Sequence, residues 1–159
     1  MSFLSKIFSV VKKLFYTETI VPKPDGDVDI MARTLWGEAR NQCAKGMEAV
    51  ACVIMNRFNE NIWYSKYKGE HSIKAVCLKP KQFSCWNADD PNSKMCSSVN
   101  TTNKTFVQAL EIARKAKYGK LKDITKGANH YYADSIKAPK WVKDMKFCVK
   151  IGQHNFYKG

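Results

Sequence analysis

Apolar residues recur at the spacing of an α-helix in three segments of this 159-residue chain, and this periodicity limits the possible folds most. It predicts helices over residues 28–40, 45–58 and 104–118, and a shorter one over 72–78. The second helix carries the longest apolar stripe, formed by Met47, Val50, Ala51, Ile54 and Phe58. Amphipathic helices must bury such stripes against one another. We therefore expect a mainly helical core.

Residues typical of helix ends support these boundaries. Asp27 or Asp29 is expected to cap the first helix, Ser72 the short one and Asn103 the last, while Gly119 is a stop signal. Residues 79–103 are predicted to be mostly loop. Residues 128–133 and 147–157 have the pattern of β-strands, which predicts a small hairpin or sheet. The expected fold class is α+β, mainly helical, in a single domain.

The chain divides into three parts by composition. Residues 1–16 combine a helical apolar stripe with Lys6, Lys12 and Lys13, and we expect a basic amphipathic helix there. Such a helix either lies on an anionic membrane surface or packs on the domain. Residues 17–27 contain prolines and glycine and are interpreted as a linker, so residues 28–159 form the main domain. No small-residue cleavage site follows the first segment, and we expect no cleavable signal peptide.

The charge balance predicts an anionic partner. Lys and Arg total 27 against 14 Asp and Glu, which gives a net charge of +13. Nucleic acid, anionic lipid and an acidic cell envelope all suit this charge. No nucleic-acid-binding motif is present, which disfavours the first partner. No run of 18 apolar residues exists that could span a membrane.

The cysteine and histidine pattern does not indicate a metal site. There are six cysteines and three histidines, with no CxxC pair, and we expect neither metal nor cofactor. Cys52 lies in an apolar run and is interpreted as a buried hydrophobic residue. Cys85 and Cys96 bracket a loop of turn-forming residues and are the pair most readily joined by a disulfide.

Three short segments carry candidate chemistry. Glu38 ends an apolar helix beside Trp36, where partial desolvation would suit a general acid, although a solvated or Arg40-paired glutamate is the simpler alternative. Two further segments mix aromatic rings with amides, the chemistry that binds sugars, but either could equally be ordinary packing. The candidate substrate-binding residues are Trp36 beside Glu38, Gln82, Phe83, Ser84 and Trp86 in the loop, and Asn129, His130 and Tyr131 on a predicted strand.

Together these segments resemble spore-cortex-lytic-type cell-wall hydrolases. The similar blocks are Leu35–Arg40, Gly46–Ala51, Met55–Arg57, Gln82–Ser84, Asn129–Tyr131 with Trp141, and Ile151–Tyr157. They occur in order across about residues 29–158. The resemblance implies a lysozyme-like, lytic-transglycosylase-like fold that cleaves peptidoglycan glycan strands. It also implies that Glu38 is the catalytic acid.

The resemblance and the small size of the chain lead to a hypothesis about its biology. We expect a monomeric enzyme resembling a bacteriophage endolysin or virion-borne lysin, present in the host cytoplasm before lysis or in the virion. One dominant carboxyl favours a lytic transglycosylase, with lysozyme-type hydrolysis as the close alternative. Two other hypotheses stay open: a cysteine-dependent amidase or endopeptidase using Cys85 and His130, and a non-enzymatic, basic, membrane-active protein.

Overall fold

A computed structural model describes residues 24–159 of the chain. The predicted basic helix over residues 1–16 and most of the predicted linker lie outside the described residues. The helices are α1 Gly26–Ala39, α2 Cys43–Glu60, α3 Ile73–Leu78, α4 Asn92–Ser98 and α5 Lys104–Lys117. The strands are β1 Lys66–Tyr67, β2 Glu70–His71, β3 His130–Ala133, β4 Lys146–Ile151 and β5 His154–Lys158.

The main hydrophobic core lies between four helices. Helix α1 packs against α2, α3 and α5, and the apolar stripes predicted from the sequence meet there. Leu35 of α1, Val50 and Ile54 of α2, and Val76 of α3 are fully buried in this core. The mainly helical α+β fold class is thereby confirmed.

A three-stranded antiparallel sheet packs on a second side of α2. The strand order is β3-β5-β4, and Tyr131 pairs with Phe156 across the first ladder. A smaller cluster joins this sheet to α2, with Ala49 and Val53 of the helix against Ile151 and Phe156 of the strands. Because side chains alternate along a strand, one face of the sheet is committed to this packing and the other is directed outward.

Several details differ from the sequence-based expectation. Helix α1 begins at Gly26, and its cap is Asp25, whose carboxylate accepts a 3.0 Å hydrogen bond from the backbone N–H of Val28. Helix α4 lies inside the segment predicted as loop, and the hairpin β1-β2 was not predicted. That hairpin turns through Lys68 and Gly69, both with positive φ, a geometry that glycine adopts without strain. The caps Ser72 and Asn103 are confirmed.

No helix among residues 24–159 combines the length and the apolar character needed to cross a membrane.

The cap of α5 provides a stability test. The Asn103 side chain accepts hydrogen bonds from Phe106 N at 3.0 Å and from the indole Nε1 of Trp36 at 3.3 Å. Asn103→Ala removes both acceptors, so we expect it to lower the free energy of unfolding in urea by about 1–2 kcal/mol. Asn103→Asp keeps an acceptor for both and is the matched control. Equal stability of the two variants would show that the cap contributes nothing measurable.

Candidate active site

Glu38 lies in the last turn of α1, where three donors from two separate segments surround its carboxylate. Oε1 accepts hydrogen bonds from Cys85 N at 3.0 Å and Ser84 Oγ at 3.3 Å, and Oε2 accepts one from Tyr131 Oη at 2.9 Å. The side chain is partly exposed. A carboxylate whose two oxygens are both held in this way has a fixed orientation and remains open to a ligand, as proton transfer requires.

The glycine before Glu38 lets the loop come close to the helix. A Cβ atom on Gly37 would lie 2.6 Å from both Cys85 Cβ and Cys96 Sγ, well inside van der Waals contact. Any larger residue would therefore push away the turn Ser84–Trp86 that supplies two of the three donors. Gly37 is thus a steric requirement of the Glu38 site.

Arg57 of α2 ties together the two segments that hold Glu38. Its Nε donates a 2.7 Å hydrogen bond to the carbonyl of Asn129, and its guanidinium lies 5.2 Å from the ring centroid of Phe83. The side chain is only 4% exposed, and burial lowers its pKa. Nη1 also reaches Gln82 Oε1 at 3.5 Å. The loop before Ser84 and the strand before Tyr131 therefore share one buried cation.

Tyr131 donates a hydrogen bond to Glu38 from a hydroxyl that stays protonated. Burial, followed by the neighbouring Glu38 carboxylate, raises the pKa of Tyr131 well above its usual value. Its hydroxyl therefore keeps its proton at neutral pH. The ring packs edge-on against His154, with centroids 5.1 Å apart. His154 is buried, its pKa is lowered by that burial, and its Nδ1 has no hydrogen-bond partner.

Three of the predicted sugar-binding residues lie in the core instead. Trp36 is 7% exposed and is covered by the guanidinium of Arg40, while Phe83 is 1% exposed beneath Arg57. Asn129 is also 1% exposed, and its amide is committed to Glu60 and the carbonyl of Gly159. None of these side chains has a free face for a sugar, because each fills space or satisfies buried polar groups.

The other predicted residues are more accessible. Ser84 is exposed beside Glu38, and Gln82 is half-buried against Arg57. Trp86 donates a 2.9 Å hydrogen bond from Nε1 to Thr34 and borders a cavity of about 590 Å³. That cavity is formed by Tyr67, Leu78, Lys79, Pro80, Lys81, Trp86, Asn87, Ala88 and Asp89. It lies beside the loop that leads into Ser84, and Glu38 is not among the residues that line it.

His130 does not face Glu38. It precedes Tyr131 on β3 and points to the opposite side of the sheet, where its ring contacts Trp141 at 5.4 Å. Burial, with the nearby charge of Arg57, lowers its pKa to about 4. The imidazole is therefore neutral at pH 7. The structure thus brings Glu38, Ser84 and Tyr131 together but not His130. The catalytic or binding roles of all four residues stay predictions.

Arg57 was missing from the sequence-based set of candidates, although a signal was present. It follows Val50 and Ile54 at helical spacing, so the apolar stripe of α2 predicts it to be buried. A charged residue on such a stripe needs partners. Because the partners come from residues 82–83 and 129, the sequence alone could not identify them.

The sequence suggested a disulfide between Cys85 and Cys96. The structure places the two side chains next to each other, but both are free thiols. Hydrogen bonding to Cys96, burial and the Glu38 carboxylate raise the pKa of Cys85, while the same contact lowers that of Cys96. Cys85 is 1% exposed, and the His130 ring lies instead against Tyr64 and Trp141. A buried thiol with a raised pKa stays protonated and is a poor nucleophile, which argues against the cysteine amidase hypothesis.

A helical core, a small sheet and a fixed carboxylate at their junction are the features of a lysozyme-like domain. A family model described as Cell Wall Hydrolase matches residues 41–157. The chain therefore belongs to the cell wall hydrolase family, and the resemblance seen in the sequence is confirmed. Glu38 lies just before the matched residues.

Known relatives agree with this placement. The chain is 28% identical to a spore cortex-lytic enzyme of Halalkalibacterium halodurans over 134 residues, which is 83% of this chain and 34% of that protein. The corresponding enzyme of Bacillus subtilis is 25% identical over 83% of this chain and 37% of its own length. The chain thus spans little more than a third of these two relatives.

Solved structures match the domain almost completely. The catalytic domain of the germination-specific lytic transglycosylase SleB from Bacillus anthracis has a TM-score of 0.62 and 26% identity, covering 87% of this chain and all of that one. The catalytic domain of the Bacillus cereus SleB protein has a TM-score of 0.65 and 25% identity, covering 89% of this chain and 97% of that one. The lysozyme-like, lytic-transglycosylase-like fold is confirmed.

The burial of Cys85 leads to a prediction. Cys85→Ser should retain most wall-lytic activity, because the backbone N–H that donates to Glu38 is kept. We expect lower stability, since a hydroxyl replaces a buried thiol, and no inhibition of the parent protein by iodoacetamide under native conditions. Turbidity loss of purified cell walls measures the activity. An inactive but folded Cys85→Ser protein, together with inactivation by the alkylator, would restore the cysteine hypothesis.

Proposed function

We propose that this protein cleaves the glycan strand of peptidoglycan between N-acetylmuramic acid and N-acetylglucosamine, with Glu38 as general acid and then general base. The observation that carries the proposal is the Glu38 carboxylate, held by Cys85 N, Ser84 Oγ and Tyr131 Oη. Family membership and the similarity to SleB catalytic domains support the substrate class.

The favoured reaction is that of a lytic transglycosylase. Protonated Glu38 gives its proton to the glycosidic oxygen while the bond from that oxygen to C1 of the muramic residue breaks. The 6-hydroxyl of the same muramic residue then forms a bond to C1 and returns a proton to Glu38. The products are a 1,6-anhydro-muramic end and a free 4-hydroxyl on the glucosamine end. No water is consumed, and Glu38 ends in its starting state.

One residue acting twice suits the surroundings of Glu38. A two-carboxylate glycosidase needs a second acid across the bond. Of the candidate acids, Asp134 is paired with Lys150 at 2.7 Å, and Glu60 accepts hydrogen bonds from Asn129. Neither is free for the reaction. Asp89 lines the cavity beside the loop, and Glu48 lies on α2, so each is the residue to test if hydrolysis is observed.

The hydrogen bonds around Glu38 have a role in both half-reactions. Donors aimed at the carboxylate stabilise the anion that remains after the glycosidic oxygen is protonated. Tyr131 retains its proton because it is buried, so its contribution does not change across neutral pH. Arg57 contacts both Asn129 and Phe83, and so holds together the strand and the loop that carry these donors.

The biological source, the partner and the membrane contact of the protein are also proposals. A bacteriophage lysin that acts on the anionic bacterial wall agrees with the net charge of +13. Peptidoglycan is the proposed partner, and we propose that the protein acts as a monomer. Contact of residues 1–16 with an anionic membrane also stays a proposal. The spore specificity named for the relatives is not carried over.

The central test replaces the titratable group. Glu38→Gln keeps the shape of the side chain but cannot transfer the proton, so we expect lysis of purified peptidoglycan to fall by about 100-fold or more. Circular dichroism should show an intact fold. Glu48→Gln is the matched control on the neighbouring helix and should remain active by a transglycosylase mechanism.

Product analysis by mass spectrometry distinguishes the reactions. Anhydro-muramic ends support transglycosylation, reducing ends indicate hydrolysis, and released stem peptides indicate an amidase. Near-normal lysis by folded Glu38→Gln protein would overturn the assignment of Glu38, whichever products are formed.

Tyr131 provides a second, smaller effect. Tyr131→Phe removes the donor to Glu38 Oε2 but keeps the buried ring, so we expect kcat to fall about 10- to 100-fold, the range for losing a hydrogen bond to a charged group. The melting temperature should change little. Tyr118→Phe, at the exposed end of α5, is the matched control. Unchanged kcat for Tyr131→Phe would remove this hydroxyl from the mechanism.

A further inference from the structure

The outward face of the three-stranded sheet carries an aromatic cluster that the proposed reaction does not use. We define the aromatic platform as Tyr132, Trp141, Phe147 and Tyr157. Tyr157 lies at its centre, with ring centroids 5.9 Å from Tyr132, 5.7 Å from Trp141 and 5.4 Å from Phe147. Four large rings are thus gathered on one surface of a small sheet.

This platform lies on the side of the sheet opposite the core and Glu38. Tyr131 points inward to Glu38, and the next residue, Tyr132, points outward because side chains alternate along β3. Tyr157 and Phe147 are directly paired in the β4-β5 ladder, which places them on the same outward face as each other. None of the four rings belongs to the hydrophobic residues packed in either core cluster of the described chain.

The rings of the platform are accessible to a ligand. Phe147 is 52% exposed, and the other three are partly exposed. A cluster of exposed apolar surface on a stable domain costs solubility, and such clusters commonly mark a binding site. Three of the rings also carry a polar N–H or O–H group. This combination suits a ligand that is apolar on its faces and polar at its edges, which describes a sugar ring.

The charge around the platform indicates which sugar polymer it fits. Residues 128–159 contain six lysines and only two acids, Asp134 and Asp144. Asp134 is already neutralised by Lys150 at 2.7 Å. Lys140 and Lys143 flank Trp141 in the chain and are both exposed. A glycan with carboxylate substituents, as in peptidoglycan with its stem peptides, is complementary to this surface.

We propose that the aromatic platform is a second glycan-binding surface, which holds the peptidoglycan strand outside the reaction site. Sugar rings stack on the exposed faces of Trp141 and Phe147, and the flanking lysines attract the carboxylates of the wall. The proposal takes its ligand from the proposed function but does not depend on how the bond is broken. It gives the catalytic domain its own means of staying on an insoluble substrate.

Binding to insoluble wall material tests the platform. The full 159-residue Glu38→Gln protein is mixed with purified peptidoglycan, and the fraction that sediments is measured against wall concentration. We expect Trp141→Ala/Phe147→Ala to weaken binding about 10-fold or more, the effect of truncating central aromatic contacts. Trp141→Phe/Phe147→Tyr keeps the rings and should restore most binding. Tyr118→Ala, which removes an equally exposed ring on α5, should bind as the parent does.

Further measurements separate the competing occupants. Unchanged wall binding by the double variant would overturn the proposal, as would equal losses for Tyr118→Ala. Loss of binding to phosphatidylglycerol vesicles with wall binding intact would identify a membrane surface instead. A change in sedimentation velocity from dimer to monomer would identify a contact between two copies. The vesicle result or the dimer-to-monomer result would each also overturn the proposal that the platform binds glycan.

A soluble ligand covers the case in which the double variant does not fold. Oligosaccharides of N-acetylglucosamine are titrated into the Glu38→Gln protein, and tryptophan fluorescence is followed. We expect a saturable change in fluorescence that is lost in Trp141→Phe. If Trp141→Phe shows the same change as the parent, the proposal is contradicted. Cleavage products are analysed separately, so a failure of the platform and a failure of the Glu38 assignment give different results.

Discussion

The buried guanidinium of Arg57 is the interaction on which the candidate site depends. A charge that is 4% exposed is costly unless polar and aromatic groups compensate it. Here the compensation comes from the Asn129 carbonyl at 2.7 Å, the Gln82 amide and the rings of Tyr64 and Phe83. These groups come from the segments that deliver the donors to Glu38. The need to satisfy one arginine therefore fixes the distance between the loop and the strand.

The alternation of side chains along β3 divides the sheet between two tasks. Asn129, just before the strand, is locked into the hydrogen bonds that hold the chain end near Glu60. Tyr131 reaches inward to Glu38, and Tyr132 reaches outward to the aromatic platform. A shift of register by one residue would exchange these faces, lose the donor to Glu38 and bury the wrong ring. The β3-β5 ladder is therefore as important to the site as α1.

Local patterns in the sequence were sufficient for the long helices α1, α2 and α5 and for the short α3, but not for α4 or for the contacts between distant segments. The stripe from Met47 to Ile54 predicted α2, and Asn103 predicted the start of α5, because periodicity and caps depend on nearby residues. The hairpin at Lys68 and Gly69 is too short to show alternation. Glu38 and Tyr131 were identified through their motifs. The burial of Trp36, Phe83 and Asn129 depends on tertiary packing, which the local pattern did not predict.

Several residues that carry the family resemblance support the site from within the core. Gly37 allows the close approach of Cys85, and the ring of Phe83 packs against the guanidinium of Arg57. Asn129 anchors the strand just before Tyr131. Acid–base catalysis needs the carboxylate within hydrogen-bond reach of one oxygen of a long, flexible glycan. A partly exposed glutamate at a helix end would otherwise sample several rotamers. The buried polar network is how this small domain turns such a glutamate into one with a single defined orientation.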